Sequence, residues 1–150
     1  MLEVIATQLS HVLAVQNTGA GRIELCSAMG ADGLTPSAGL IEKAVALSQL
    51  PIMVMIRPRE GDFVYADSEI EVMKSDIAWA KKCGAAGVVL GVLNHDQTVD
   101  ARTLRTLVQL AYPMEVTFHR AFDVCIEPQQ ALEAIISAGC TRILSSGQER

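Results

Sequence analysis

Short apolar runs alternate along this chain with longer segments in which apolar residues recur every three to four positions. The runs at residues 2–6, 22–27, 52–57, 87–93, 115–122 and 142–146 read as β-strands. Between them the helical period predicts helices over 11–18 with Ser10 as cap, 40–47, 68–83, 101–111 with Asp100 as cap, and 128–137. The third of these shows the period most clearly, with Ile70, Met73, Ile77 and Ala80 on one face. A recurring phrase marks the turns from helix to strand: Gly19-Ala20-Gly21-Arg22-Ile23, Gly84-Ala85-Ala86-Gly87-Val88 and Gly139-Cys140-Thr141-Arg142-Ile143. Its first glycine suits a left-handed residue just past a helix end. Six strands alternating with five helices predict a parallel sheet, and the pattern fits either a barrel or an open doubly wound sheet. No GxGxxG or Walker-type loop follows the first strand, which removes the commonest nucleotide-binding grounds for the open form.

Side chains alternate across a strand, so the apolar positions also assign its faces. Ile23 and Leu25 are expected to face the helices, which turns Glu24 and Cys26 to the other side. By the same rule Ile52, Val54 and Ile56 point outward while Met53, Met55 and Arg57 point inward. Val116 and Phe118 point out, Thr117 and His119 in, and Glu3 on the first strand also points in. Two acids, an arginine and a histidine on one face of a sheet cannot be buried apart, because an unpaired buried charge costs several kcal/mol. They must pair with one another or share a wet pocket, and the mouth of a barrel supplies one.

Composition narrows the class. Half of the 150 residues are hydrophobic and only 19% are charged, which suits strands buried on both faces. No apolar run approaches the ~20 residues of a membrane span, and the start Met-Leu-Glu-Val lacks the basic region of a signal peptide. The cytoplasm is therefore the expected location. A net charge of −5 with 12 Lys plus Arg provides no electrostatic footprint for nucleic acid or an anionic membrane, so neither is an expected partner. Cys26, Cys83, Cys125 and Cys140 form no CxxC pair and no zinc spacing, and are expected to stay reduced.

Several segments carry a family resemblance: Arg22-Ile23-Glu24-Leu25-Cys26, Gly33-Leu34-Thr35-Pro36-Ser37, Met55-Ile56-Arg57-Pro58-Arg59, Gly61-Asp62-Phe63, the run from Thr117 through Asp123, and Leu144 to Gln148. In that order, and over essentially the whole chain, they resemble the CutC family, named for copper homeostasis. The resemblance implies an α/β fold of TIM-barrel type, (β/α)8, in a cytoplasmic homo-oligomer to which copper binding is attributed. Some positions depart from the family pattern, notably Gly21, Asp32, Ser145 and Ile5, the last where some relatives carry a cysteine. The family barrel continues through two further βα units, so residues 1–150 are expected to form one domain holding about six parallel strands of an incomplete barrel. Its first and sixth strands would then be open edges that invite pairing with another copy.

The candidate chemistry gathers at the strand ends. Cys26, with Met53, Met55 and His119 near it, offers soft donors for Cu(I), and the resemblance favours copper as the metal. A buried free cysteine beside core methionines uses the same residues. Glu24 and His119 form a candidate acid/base pair, because a histidine near a carboxylate titrates close to neutrality. Glu3, Arg57, Arg59, Arg120 and Asp123 are candidate ligand-binding residues, the arginines suiting a small anion. Their alternative is pairing with the loop acids Glu60, Asp62 and Asp123. Three functions therefore compete: a copper homeostasis protein that binds copper, a TIM-barrel enzyme acting on a small anionic metabolite, and a truncated inactive product. The loop at residues 27–39 exceeds the usual two to six residues of a βα connection and is a candidate lid.

Overall fold

The computed structural model describes residues 1–148. Six parallel strands pair in chain order: β1 (Glu3–Ala6), β2 (Arg22–Leu25), β3 (Ile52–Met55), β4 (Gly87–Leu90), β5 (Glu115–Phe118) and β6 (Arg142–Ile143). Helices α1 (Leu9–Val15), α2 (Ala38–Leu47), α3 (Asp67–Cys83), α4 (Ala101–Ala111) and α5 (Pro128–Ala138) make the crossovers, each packed against the next. A sheet whose order follows the sequence, with every helix on the same side, is the wall of a β/α barrel. An open doubly wound sheet would reverse its strand order instead. The wall is incomplete: among the described residues, β1 and β6 each pair on one side only. No described helix is long and apolar enough to cross a membrane.

Alternation sorts the strand residues into two layers. Ile23, Leu25, Ile52, Val54, Ile56, Val88, Leu90, Val116 and Phe118 join α1–α5 in the main core, where they meet Ile41, Met73, Ile77, Leu104, Leu107 and Ile135. Cys26, Met53, Met55 and Val89 form a second, smaller cluster on the opposite face. The faces of Glu24, Arg57, Thr117 and His119 follow from this, and all four are buried.

The helix-ending glycines behave as their repeats predict: Gly84 and Gly139 close α3 and α5 at φ +88° and +95°. Asp100 caps α4 by accepting the Thr103 N–H at 3.0 Å, and Ser37 caps α2 by accepting that of Leu40 at 3.2 Å, so α2 starts two residues earlier than its apolar period indicates. Helix α1 departs from expectation, because Ser10 lies inside it and Gln8 holds the cap position without a side-chain cap. The strands end early. β3 stops at Met55, β4 at Leu90 and β6 at Ile143, while the expected tail of β5 becomes a 3-10 turn over Arg120–Val124. Apolar content persists beyond each ladder because the barrel mouth is also covered, and covered loop residues look like strand in sequence.

Candidate functional site

The C-terminal strand ends surround a cavity of about 410 Å³, within the range of small-molecule pockets. Glu24, Cys26, Met29, Asp32, Met55, Arg57, Phe63, His119, Arg120 and Asp123 line it, with Ile5 and Leu144 on the side of the two open edges. Of the candidate residues, Glu24, Cys26, Arg57, His119, Arg120 and Asp123 are thus brought together. Glu3 and Arg59 are not. Glu3 sits beside Arg22 in the β1–β2 register and is ion-paired to it, one inward position below Glu24. Arg59 turns out of the mouth to Glu69 at 2.5 Å and Asp62 at 3.0 Å, close to the alternative of pairing with its own loop.

His119 follows the last residue of β5, and its ring lies over Gly91. A Cβ on Gly91 would stand 2.5 Å from His119 Cε1 and 2.9 Å from the Ala121 Cβ, so only glycine leaves the ring its place. The other ring neighbour is Phe63, with centroids 4.9 Å apart. His119 Nδ1 accepts the Ala121 N–H at 3.1 Å, the bond that starts the 3-10 turn. Nδ1 therefore carries no proton and the hydrogen of the neutral ring is on Nε2. Burial, helped by the charge of Arg57, pushes the imidazole down to about 3, so the ring is neutral at physiological pH. Gly91→Ala is expected to cost about 1–3 kcal/mol through overpacking. A urea midpoint unchanged from the parent would show that the ring has room to swing aside.

Arg57 is 5% exposed and makes no ion pair among the described residues. Three loop carbonyls hold its guanidinium instead: Ala31 at 2.5 Å, Gly33 at 3.2 Å and Gly61 at 3.1 Å. Its backbone N–H donates to Thr35 Oγ1 at 2.8 Å, and its guanidinium carbon stands 5.1 Å from the centre of the Phe63 ring. Glu24 is also buried. Burial, reinforced by the Glu3 charge and partly offset by Arg22, raises its carboxyl from 4.5 to about 7.

Asp123 plays a different part. It accepts from Ser145 Oγ at 2.6 Å, from the Ser146 N–H at 3.0 Å and from the Gln148 N–H at 3.2 Å, and it pairs with Arg120 at 3.2 Å. Burial opposes its ionisation, but these donors outweigh it and hold the carboxyl well below its usual range. Asp123 and Arg120 thereby fasten the segment after β6 to the cavity wall.

The sulfur side of the cavity was only partly expected. Cys26 Sγ lies 3.3 Å from Met29 Sδ, and a Cβ built on Gly33 would meet both Cys26 Sγ and the Met55 methyl at 3.7 Å. Burial, with Glu24 nearby, raises the thiol to about 11. Among the described residues no three His, Cys, Asp or Glu side chains gather as a metal-binding group, so any metal held here needs the thioethers. Met29 comes from a 3-10 turn, Met29–Ala31, flanked by left-handed Ala28 and Asp32. Apolar periodicity does not register such a turn, and the one sequence cue was the unusual length of its loop. Phe63 stood in the Gly61-Asp62-Phe63 motif, but that motif does not reveal that its ring touches both Arg57 and His119.

Fold and cavity together define a β/α-barrel protein with a small-molecule-sized site at the carboxyl ends of its strands, built on six strands. The CutC family model matches residues 1–150, and the chain belongs to the CutC family. A CutC family protein of Vibrio cholerae serotype O1 is 53% identical over 134 residues, covering 88% of this chain and 53% of the relative. One from Glaesserella parasuis serovar 5 is 46% identical over 147 residues, covering 98% of this chain and 60% of its own length. The crystal structure of CutC from Streptococcus agalactiae superposes with a TM-score of 0.92 at 31% identity, covering all of this chain and 74% of that one. The chain thus spans somewhat over half the length of the curated relatives it matches.

Proposed function

We propose that this chain is a cytoplasmic copper homeostasis protein that binds Cu(I) at the sulfur side of its cavity. The observation that carries the reading is the 3.3 Å approach of Cys26 Sγ to Met29 Sδ on the cavity wall, with Met55 beside them. Thiolate and thioether donors are soft and suit Cu(I), whereas calcium and magnesium prefer hard oxygen ligands. Membership of a family named for copper homeostasis supports the same choice. Because burial holds the thiol up at about 11, metal uptake must displace its proton, and affinity should rise with pH. Self-association belongs to the same reading, since among the described residues β1 and β6 each pair on one side only.

Competition with a chromophoric Cu(I) chelator tests the assignment. Cys26→Ser is expected to weaken Cu(I) binding by about tenfold or more, a loss of roughly 1.4 kcal/mol or greater. Met29→Leu should give a smaller loss in the same direction. Affinity unchanged in both variants would remove copper from this corner.

A further inference from the structure

Among the described residues, Arg57 and His119 each hold a buried donor without a hydrogen-bond partner. These are Arg57 Nε and His119 Nε2; Tyr65 Oη, whose hydroxyl lies against Arg57, and Thr117 Oγ1, two positions before His119, share this state. For His119 this is a donor by necessity, since Nδ1 is occupied as an acceptor. Both side chains lie against the same Phe63 ring and both line the cavity. Among the described residues Arg57 is in addition a buried cation without a paired acid, which proteins ordinarily avoid. The acids nearest to that role are already committed or absent from contact: Asp123 serves Ser145, Ser146 and Arg120, and neither Asp32 nor Glu24 forms an ion pair with Arg57. Two buried donors and a cation without a paired acid favour an anionic occupant that accepts hydrogen bonds. The rest of the lining is apolar at Ile5, Met29, Met55, Phe63, Val124 and Leu144, with Glu24, Asp32, Arg120 and Asp123 as its charged members.

We propose that the cavity binds a small organic carboxylate, its two oxygens taking the hydrogen bonds of Arg57 Nε and His119 Nε2 and its carbon body lying against Met29, Met55 and Phe63. A carboxylate fits two donors better than a phosphate does, because the third phosphate oxygen would be left among apolar side chains. A neutral imidazole N–H favours an acceptor over a metal ion. The Glu24 carboxyl, on the same cavity wall, is the group placed to exchange a proton with the bound molecule. This site shares Met29 and Met55 with the copper reading, but its polar contacts come from Arg57 and His119, which that reading does not use.

Isothermal titration and thermal unfolding of the full chain test the proposal, with a Cu(I) chelator present throughout so that copper takes no part. The probes are butyrate, benzoate and pyruvate, with butyramide, benzamide and inorganic phosphate as the contrasting set. At least one carboxylate is expected to bind and raise the Tm while its amide does not. His119→Leu should lower that affinity by about tenfold or more, and His119→Gln, which restores an N–H, should recover most of it. The chelator, present in every sample, separates this result from the copper assay. Stabilisation by phosphate alone, equal binding of acid and amide, or no binding by any carboxylate overturns the proposal. If His119→Leu does not fold, the parent protein decides by NMR: the Nε2–H resonance must move downfield on saturation with the carboxylate, and an unmoved resonance overturns the proposal.

Discussion

Phe118→Ala is expected to cost about 3–5 kcal/mol, the largest loss from any single truncation in this chain. Phe118 is fully buried and is the largest of the fully buried side chains. It ends β5 on the helix-facing side, between Leu90 of β4 and Ile143 of β6 in register. Removing the ring empties a space bounded by sheet on both sides, where backbone hydrogen bonds prevent collapse, so the cavity term adds to the lost transfer energy. A domain of this size is stable by roughly 5–15 kcal/mol, so the variant should lie close to its unfolding threshold. Urea denaturation at neutral pH measures the change directly. A loss under about 1 kcal/mol would mean that the outward face of β5 is not the centre of the core.

The second large effect is a pH dependence with two opposed parts. His119 titrates near 6.5 when unfolded and near 3 when folded, held down by burial and by Arg57. Its contribution to stability is complete above pH 6.5 and is lost as pH falls toward 3, because the unfolded chain takes up a proton that the folded site refuses. At 1.36 kcal/mol per pKa unit, this contribution is on the order of 5 kcal/mol. Glu24 has the reverse sign. Burial and Glu3 raise it from 4.5 to about 7, so its contribution is complete below pH 4.5 and is lost as pH rises through 7. Its size is roughly 3 kcal/mol. Between pH 4.5 and 6.5 the two largely cancel in the parent. The variants should expose them: relative to the parent, His119→Leu should gain stability as pH falls from 6.5, and Glu24→Gln should gain it as pH rises from 4.5 toward 8. Asp123 stays outside this window, since its hydrogen bonds hold it ionised to lower pH. Curves for both variants that run parallel to the parent would show that neither group is perturbed.

Much of this arrangement is legible in the sequence because two periods do most of the work. Alternation placed Glu24, Cys26, Arg57 and His119 on one face, and the helical period with its terminal glycines set the order of elements. Alternation gives a face, however, and not a height along the barrel. Glu3 shares the face of Glu24 but lies one inward position lower, where the β1–β2 register sets it beside Arg22. Direction out of the strand is equally hidden. Arg57 and Arg59 are two residues apart, yet the first folds back over Phe63 and the second leaves for Glu69, a choice made by contacts 10 residues and more along the chain. The tail of β5 reads as strand because Ala121 and Phe122 prolong its apolar positions, whereas the bonds from the Ala121 N–H to His119 Nδ1 and from the Phe122 N–H to the His119 carbonyl turn it into a 3-10 helix. Met29 entered the cavity through two left-handed non-glycine residues, Ala28 and Asp32, which no local propensity would select.

The three carbonyls that hold Arg57 belong to two different connections, the one after β2 and the one after β3. Together with the bonds between Arg57 and Thr35, they make a long excursion and a charged loop move as a single body. Neither loop can then open alone: a fluctuation that frees Gly61 also slackens Ala31 and Gly33. Opening the cavity on this side is therefore expected to disturb both connections together, because one side chain ties them.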